Sequence, residues 1–333
     1  MITVDEESIA LYKELAEKVL RSGFLSEGQM TKDFEKQWGD LLGLPSATVS
    51  SGGYALWALC EAANVRGGDV IVPTNTFMAS VLAAEKAGAR AVFADCGRKD
   101  LCLSLDALKA AITPQTKAVI VVHVGGHVAF EIESIAEFCK DRGVALVEDC
   151  AHSHGAWYKG KPAGSFGFGG AYSFYSTKTL PTGEGGMVVS RDPRVIEFVR
   201  SFRNYGKFDY RIAGFHGRMN ELTAALGLVQ FKRLPKILEF KRALAAKYDA
   251  IFENRVRLPD GMLSGFYKYI VFDQPLKEET GKVYKDLCHR LRGLSQRFPE
   301  SDWVAEHHAC PPIWFGYPGA DLPIEQLRSR LIG

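Results

Sequence analysis

Three short stretches of this chain carry residue types whose spacing could do chemistry. Val49-Ser50-Ser51-Gly52-Gly53-Tyr54-Ala55-Leu56 reads as a strand running through a glycine pair into a helix. The free N–H groups and positive dipole end of such a helix suit an anion, and glycines let a phosphate approach the backbone. A tight strand-to-helix turn would use the same residues. Val147-Glu148-Asp149-Cys150-Ala151-His152 places an acid just beyond an apolar strand. In parallel α/β sheets ligands bind at that edge, and an Asp there could serve a protonated heterocycle, or simply cap a helix. In Ser173-Phe174-Tyr175-Ser176-Thr177-Lys178, followed by Thr179 to Gly186, a lysine sits in a polar loop after a strand. Held among strand ends, it could act as an amine nucleophile; a solvated surface lysine is the ordinary alternative.

Together the three are more specific than each alone. A phosphate cradle, an Asp beyond a strand and a Lys 29 residues later match what pyridoxal 5′-phosphate requires. Its aldehyde needs a lysine, its pyridine nitrogen an acid partner, and its phosphate backbone donors. Other chemistries lack their motifs. There is no G-x-G-x-x-G between strand and helix, no G-x-x-x-x-G-K-[ST], no H-E-x-x-H and no G-x-S-x-G. Cys150, His152 and His154 alternate along the chain, but no second Cys/His pair has clear zinc spacing, with only His307, His308 and Cys310 as loose partners. No metal is expected. His123 is expected to order a loop, and Trp303, Trp314 and Tyr317 to pack rather than to form a sugar platform.

The elements that must position these residues alternate in type. Strands are expected at Ala47–Val49, Val70–Val72, Ala91–Phe93, Ala118–Val122 and Val144–Val147. Helices are expected between them, at Tyr54–Ala63, Met78–Ala87, Leu105–Ile112 and Ile132–Arg142. This order predicts an α/β fold with a mostly parallel sheet and helices on both faces. Two helices precede it, with Ile9, Leu11, Leu15, Val19 and Leu20 on one face of the first, and Phe34, Trp38, Leu41 and Leu42 on one face of the second. Further on come strands at Ala171–Phe174 and Met187–Ser190, and a helix from Arg194 to Arg203. A long helical stretch follows from Asn220 to Asn254, which Pro235 is expected to divide, and then a strand at Tyr267–Phe272.

Composition bounds the rest. The 333 residues predict two domains: residues 1–240 as a large cofactor-binding unit, and residues 241–333 as a small α+β one. With 41 basic and 39 acidic residues and no basic block, a nucleic-acid partner is not expected. No apolar run reaches the ~20 residues of a membrane helix, and the acidic start, Met1-Ile-Thr-Val-Asp-Glu-Glu, carries no signal-peptide core. The 7 scattered cysteines suit buried thiols in a reducing cytoplasm rather than disulfides. Glycine is 33 of 333, and nine of these fall in residues 151–190, around the candidate lysine.

At this level the chain resembles the DegT/DnrJ/EryC1/StrS family of pyridoxal-phosphate-dependent sugar aminotransferases. The resemblance covers roughly residues 20–235. It rests on Ser22-Gly23 with Gly28 and Phe34-Glu35, Ser51 to Leu56, Pro73-Thr74-Asn75-Thr76-Phe77, Val122-His123-Val124-Gly125-Gly126, Glu148 to Ala156 and the Ser173–Gly186 block. It implies the aspartate-aminotransferase-like (type I) fold and a homodimer with shared active sites. By the same resemblance Lys178 would bond to the cofactor aldehyde and shuttle a proton, and Asp149 would pair with the ring nitrogen. Gly52, Gly53 and Ser173 would hold the phosphate, Phe77 would stack on the ring, and His152, where many members have Gln, would meet the ring hydroxyl. Glu184 is either a substrate contact or structural.

In Gly214-Phe215-His216-Gly217-Arg218-Met219-Asn220-Glu221 the family pattern is G-x-N-x-R-[ML]-x-E. Here His216 replaces the Asn that reaches the neighbouring subunit's phosphate. Arg218 is a candidate anion contact from the partner subunit, or a structural partner of Glu221. The implied reaction moves an amino group from glutamate to the ketone of a nucleotide-linked keto-deoxysugar, at the 3- or 4-position. A keto-cyclitol aminotransferase, a sugar dehydratase (whose members replace the lysine by His) and a non-catalytic regulatory protein are the alternatives. Members commonly run some tens of residues further, so the C-terminal unit is expected to be reduced.

Overall fold

The computed structural model describes residues 4–207 and 209–332; Met1 to Thr3 of the acidic start, Phe208 and the terminal Gly333 lie outside them. Two helices open the chain, α1 (Glu6–Ser22) and α2 (Gln29–Leu42). Asp5 caps α1 by accepting from the Ser8 N–H, and Gly23 ends it at φ 71, a left-handed position that glycine fills without strain. Of the apolar stripe expected on α1 only Val19 is buried, and Leu20 is exposed. On α2 Phe34, Trp38 and Leu42 of the expected stripe are buried, while Leu41 is exposed.

The alternation that follows is β1 (Ser46–Val49), α3 (Gly52–Ala62), β2 (Asp69–Pro73), α4 (Met78–Lys86), β3 (Arg90–Ala94), α5 (Leu105–Ala111), β4 (Thr116–Val122), α6 (Ile132–Asp141) and β5 (Ala145–Asp149). After two short strands, β6 (Trp157–Tyr158) and β7 (Lys161–Pro162), come β8 (Gly169–Ser173), β9 (Gly186–Val189) and α7 (Pro193–Phe202). Seven strands form one sheet in the order β1-β9-β8-β5-β4-β2-β3. The five consecutive neighbours from β8 to β3 are parallel, and only β9 runs against its neighbours. Val70, Ile71, Val72, Ala118 to Val121 and Val147 are fully buried. Strands covered on both faces have no solvent side to mark with polar residues, hence their near-continuous apolar runs.

A buried charge network fixes the α2–β1 junction. Glu35 accepts from the Thr48 N–H and hydroxyl at 2.9 Å each, from Arg203 at 2.6 Å and from Arg200 at 2.9 Å. Burial alone would push this carboxyl up, but Arg203, Arg200 and the Thr48 N–H outweigh it and hold it below the usual range.

The long helix α8 (Glu221–Asp249) is continuous, which corrects the expected break at Pro235. Proline removes the single hydrogen bond to the Phe231 carbonyl. Leu234 and Ile237, buried on either side, keep both halves packed. The strand expected over Tyr267–Phe272 shrinks to β11 (Val271–Phe272), because only this pair finds a partner in β12 (His308–Ala309). Its earlier residues leave the ladder to line cavities instead. The remaining elements are β10 (Met262–Leu263), paired with β6, and helices α9 (Cys288–Leu291), α10 (Pro299–His307) and α11 (Ile324–Leu331). Leu244, Tyr248, Phe252, Tyr269, Ile313 and Leu327 form a second apolar cluster there. Among the described residues no helix is long and apolar enough to cross a membrane. All seven cysteines are buried and free.

Candidate active site

The carboxyl ends of β5 and β8 and the amino end of α3 converge on one place. Asp149 is the last residue of β5 and is buried. Its Oδ1 accepts from the Ala151 N–H at 3.0 Å and its Oδ2 from the Ser80 hydroxyl at 2.9 Å; Ser80 in turn lies 3.0 Å from the Thr76 hydroxyl. Burial pushes the Asp149 carboxyl up, while the Ala151 N–H, Ser80, Lys178 and His123 pull the other way. A carboxylate that keeps two donors and a nearby cation is built to face a positive group.

Ser173 ends β8 and lies against the first turn of α3, where a Cβ on Gly52 would stand 2.7 Å from the Ser173 Cβ. Glycine is therefore required for the helix start to sit on the strand end. Ser51 caps α3, accepting from Tyr54 N–H at 3.1 Å. The N–H groups of Gly52 and Gly53 belong to the first turn and have no intrahelical acceptor. Such a helix start, beside a serine hydroxyl, is an anion cradle.

Lys178 follows β8 in a turn, its N–H donating to the Tyr175 carbonyl at 2.9 Å. The side chain is largely buried, not a solvated surface lysine, and its ammonium lies 4.8 Å from the centre of the Tyr267 ring. Burial lowers it to about 8, with Asp149 raising it and Lys268 lowering it further. An amine titrating near neutrality can both attack a carbonyl and carry a proton. Beyond it, Gly185 adopts φ 153, and a Cβ there would lie 2.7 Å from the Thr182 hydroxyl. One of the nine clustered glycines is thus needed to bring the chain back into β9.

His152 is buried, with its ring stacked on Tyr267 at 4.1 Å and 16° and on Tyr284 at 5.6 Å and 23°. Burial, with Lys178 next, holds it well below its usual range, so it is neutral. Its Nδ1 is buried without a partner, a group waiting for a hydrogen bond from outside the chain. Phe77, the residue before α4, is 67% exposed, an unusual setting for a phenyl ring that a bound planar group would cover.

The other expected residues are more peripheral. Glu184 is exposed, and its carbonyl accepts from the Thr182 hydroxyl at 2.6 Å. His216 is exposed beside Tyr205 and meets Arg218 Nε at 3.4 Å. Arg218 pairs with Glu27 at 3.2 Å, not with Glu221. The Glu221 carboxylate is taken: it accepts from the Met30 and Thr31 N–H groups at 2.7 and 3.0 Å and so caps α2. His123 orders a loop, accepting from the Ala129 N–H at 3.0 Å and meeting Glu148 at 2.9 Å. Cys150 groups with His123 and Glu148 rather than with His152 and His154. Tyr317 is buried, whereas Trp314 is partly exposed and lines the cavity beside Lys178.

Several residues escape the sequence reading. Ser80 was detectable only as a hydroxyl one turn into α4. Tyr267 and Tyr284 lie more than a hundred residues from the His they enclose, and no spacing links them. Lys241 did leave a signal: with Leu234, Ile237, Leu244 and Tyr248 it occupies the buried stripe of α8, where a charge is out of place.

A profile of the DegT/DnrJ/EryC1/StrS aminotransferase family matches residues 7–264. The dTDP-4-dehydro-2,3,6-trideoxy-D-glucose 4-aminotransferase of Saccharopolyspora spinosa is 32% identical over 309 residues, 85% of this chain and 80% of that protein. The dTDP-3-amino-3,4,6-trideoxy-alpha-D-glucose transaminase of Micromonospora megalomicea subsp. nigra is 33% identical over 335 residues, 96% of this chain and 87% of that protein. Among solved structures, the aminotransferase TlmJ from Streptoalloteichus hindustanus superposes with a TM-score of 0.87 at 29% identity, covering 98% of this chain and 95% of that one. DesV from S. venezuelae gives 0.88 at 27%, covering 97% and 95%.

Proposed function

Since the chain belongs to the DegT/DnrJ/EryC1/StrS aminotransferase family, we propose that it is a pyridoxal-phosphate-dependent aminotransferase that aminates the ketone of a nucleotide-linked deoxysugar in amino-sugar biosynthesis, with glutamate as donor. Relatives named as dTDP-sugar aminotransferases support the substrate class. The observation that carries the reading is the convergence of Lys178, Asp149 and the start of α3 at one end of the sheet.

The residues present fit the cofactor. The unpartnered Nδ1 of His152, the anion cradle at Gly52 and Gly53, and the acceptor Asp149 answer its hydroxyl, phosphate and ring nitrogen. Bound there, pyridoxal 5′-phosphate supplies an aldehyde for covalent capture of amines and a ring that withdraws electrons from the adjacent carbon. Lys178 offers the amine for that capture, and its value of about 8 lets it take or release a proton in each half of the transfer. Asp149, held by Ser80 and the Ala151 N–H, accepts from the protonated ring nitrogen. Gly52, Gly53 and Ser173 fix the phosphate. Tyr267 holds His152 in place, and Phe77 covers the ring. Glu184 remains a candidate substrate contact, and Arg218, held by Glu27, a candidate anion contact from the partner subunit.

A homodimer with shared sites is part of the same proposal. Tyr205 and Phe215, both exposed, surround His216 on the face where a partner subunit's cofactor would lie. The reducing cytoplasm is its proposed compartment, since all seven thiols are buried and unpaired. Incubation of the purified protein with glutamate and a panel of 3- and 4-keto-sugar nucleotides and keto-cyclitols, read by mass spectrometry, tests the function. Amination of a sugar nucleotide is expected. A panel in which only cyclitols, or nothing, is aminated contradicts it.

A further inference from the structure

Lys178 opens onto a cavity of about 220 Å³ that is lined by cations and has no carboxylate among its described lining residues. Two of those cations are lysines with no carboxylate in ion-pair contact; Glu279 acts on Lys268 only from a longer distance. Lys241, only 6% exposed, donates to the Thr179 hydroxyl and the Phe266 carbonyl, each at 3.2 Å. Lys268 donates to the Thr280 carbonyl at 2.7 Å and to its hydroxyl at 2.9 Å. All four acceptors are neutral. Each ammonium has three donors, so each of these two lining lysines keeps one N–H beyond its two protein acceptors.

This arrangement is costly without a ligand. Buried charges in proteins are ordinarily paired, because an unpaired one loses its hydration without compensation. Lys268 also repels both Lys178 and Lys241, and burial with that repulsion lowers Lys241 to about 7. An anion between them relieves both penalties. The apolar remainder of the wall, Ile237, Ile313, Trp314 and Phe315, suits a short carbon chain. The volume lies below the ~300–1,000 Å³ of pockets for drug-sized ligands, so it admits a small anion and not a whole nucleotide sugar.

We propose that Lys241 and Lys268, oriented by Thr179 and Thr280, form a subsite beside Lys178 for a carboxylate of the amino donor. The inference rests on the aminotransferase reading and deepens it. Lys268, Thr280 and Trp314 lie beyond the residues that the family profile matches, so this wall is contributed partly by the chain's own C-terminal region.

The test uses the cofactor-loaded protein and two unreactive probes in calorimetry. Glutarate stands for the dicarboxylic donor, and inorganic pyrophosphate for the diphosphate of a sugar nucleotide. Losing one charge-assisted contact weakens glutarate by about tenfold or more in Lys241→Met and in Lys268→Met, while Lys241→Arg keeps most of the affinity. Pyrophosphate binding stays unchanged. In turnover the same variants raise the KM for glutamate with little change in the KM for the sugar.

Glutarate binding that survives both methionine substitutions overturns the subsite. A loss confined to pyrophosphate, or equal for both probes, overturns its assignment to the donor carboxylate. Lys268 is only partly buried, so Lys268→Met remains informative where Lys241→Met does not fold. A wild-type protein that binds glutarate but aminates no sugar nucleotide refutes the acceptor and leaves the subsite standing. One that aminates but binds no glutarate does the reverse.

Discussion

Burial sets the protonation of Lys178 and two neighbours of opposite sign adjust it, which makes it measurable. Burial brings its ammonium from the usual 10.5 to about 8. At pH 7 roughly 9% of such a side chain is free amine, against roughly 0.03% for an unperturbed lysine, a gain of about three hundredfold in the reactive form. The assay is acylation of the cofactor-free protein by a small amine-directed reagent from about pH 6 to 10, followed by the mass of the Lys178 peptide, with exposed lysines as internal standards.

The wild-type rate should inflect near 8. Asp149 favours the charged form, so Asp149→Asn moves the inflection down. Lys268 disfavours it, so Lys268→Met moves the inflection up. Because the readout needs no cofactor, a variant that binds none is still informative. A wild-type inflection at or above 10, or shifts of the same sign in both variants, refutes the account of the site's electrostatics.

Two other perturbations test the scaffold. Gly52→Ala puts a methyl group 2.7 Å from the Ser173 Cβ, so the strand end and helix start must part. Cofactor affinity should fall by about tenfold or more as one backbone donor is displaced, read by fluorescence titration, and an unchanged affinity removes α3 from the phosphate site. Glu35→Ala leaves Arg203 buried without its partner, a loss of about 3–5 kcal/mol in chemical denaturation. Its pH signature has a definite sign. Because the folded value of Glu35 is depressed, its stabilisation is complete above the unfolded carboxyl range and is lost as pH falls through the folded value. A wild type whose stability stays flat through that acid range contradicts it.

Much of the architecture was legible because its signals are local. The buried strands around Val70–Val72 and Ala118–Val122 announce themselves as apolar runs, and the interleaved helices follow the usual alternation. Pro235 misled because propensity is a local cost, and the packing of Leu234 and Ile237 outweighs one missing hydrogen bond. Tyr267 to Ile270 misled because an apolar run does not state whether it will find a partner strand. The site divides in the same way. Gly52, Asp149 and Ser173 stand at element ends and Lys178 in the turn that follows one, positions that sequence order alone marks as candidates. Ser80, Tyr267, Lys241 and Lys268 matter only through contacts made across the fold, and Arg218 found Glu27 because Glu221 was already committed to the start of α2.

The most direct measurement is borohydride reduction of the cofactor-loaded protein, followed by peptide mapping. The account predicts a yellow protein whose colour is lost on reduction, with a single pyridoxyl group carried by Lys178, and a Lys178→Ala variant that still binds the cofactor but completes no amino transfer. A label on another lysine, or full transamination by Lys178→Ala, would contradict it.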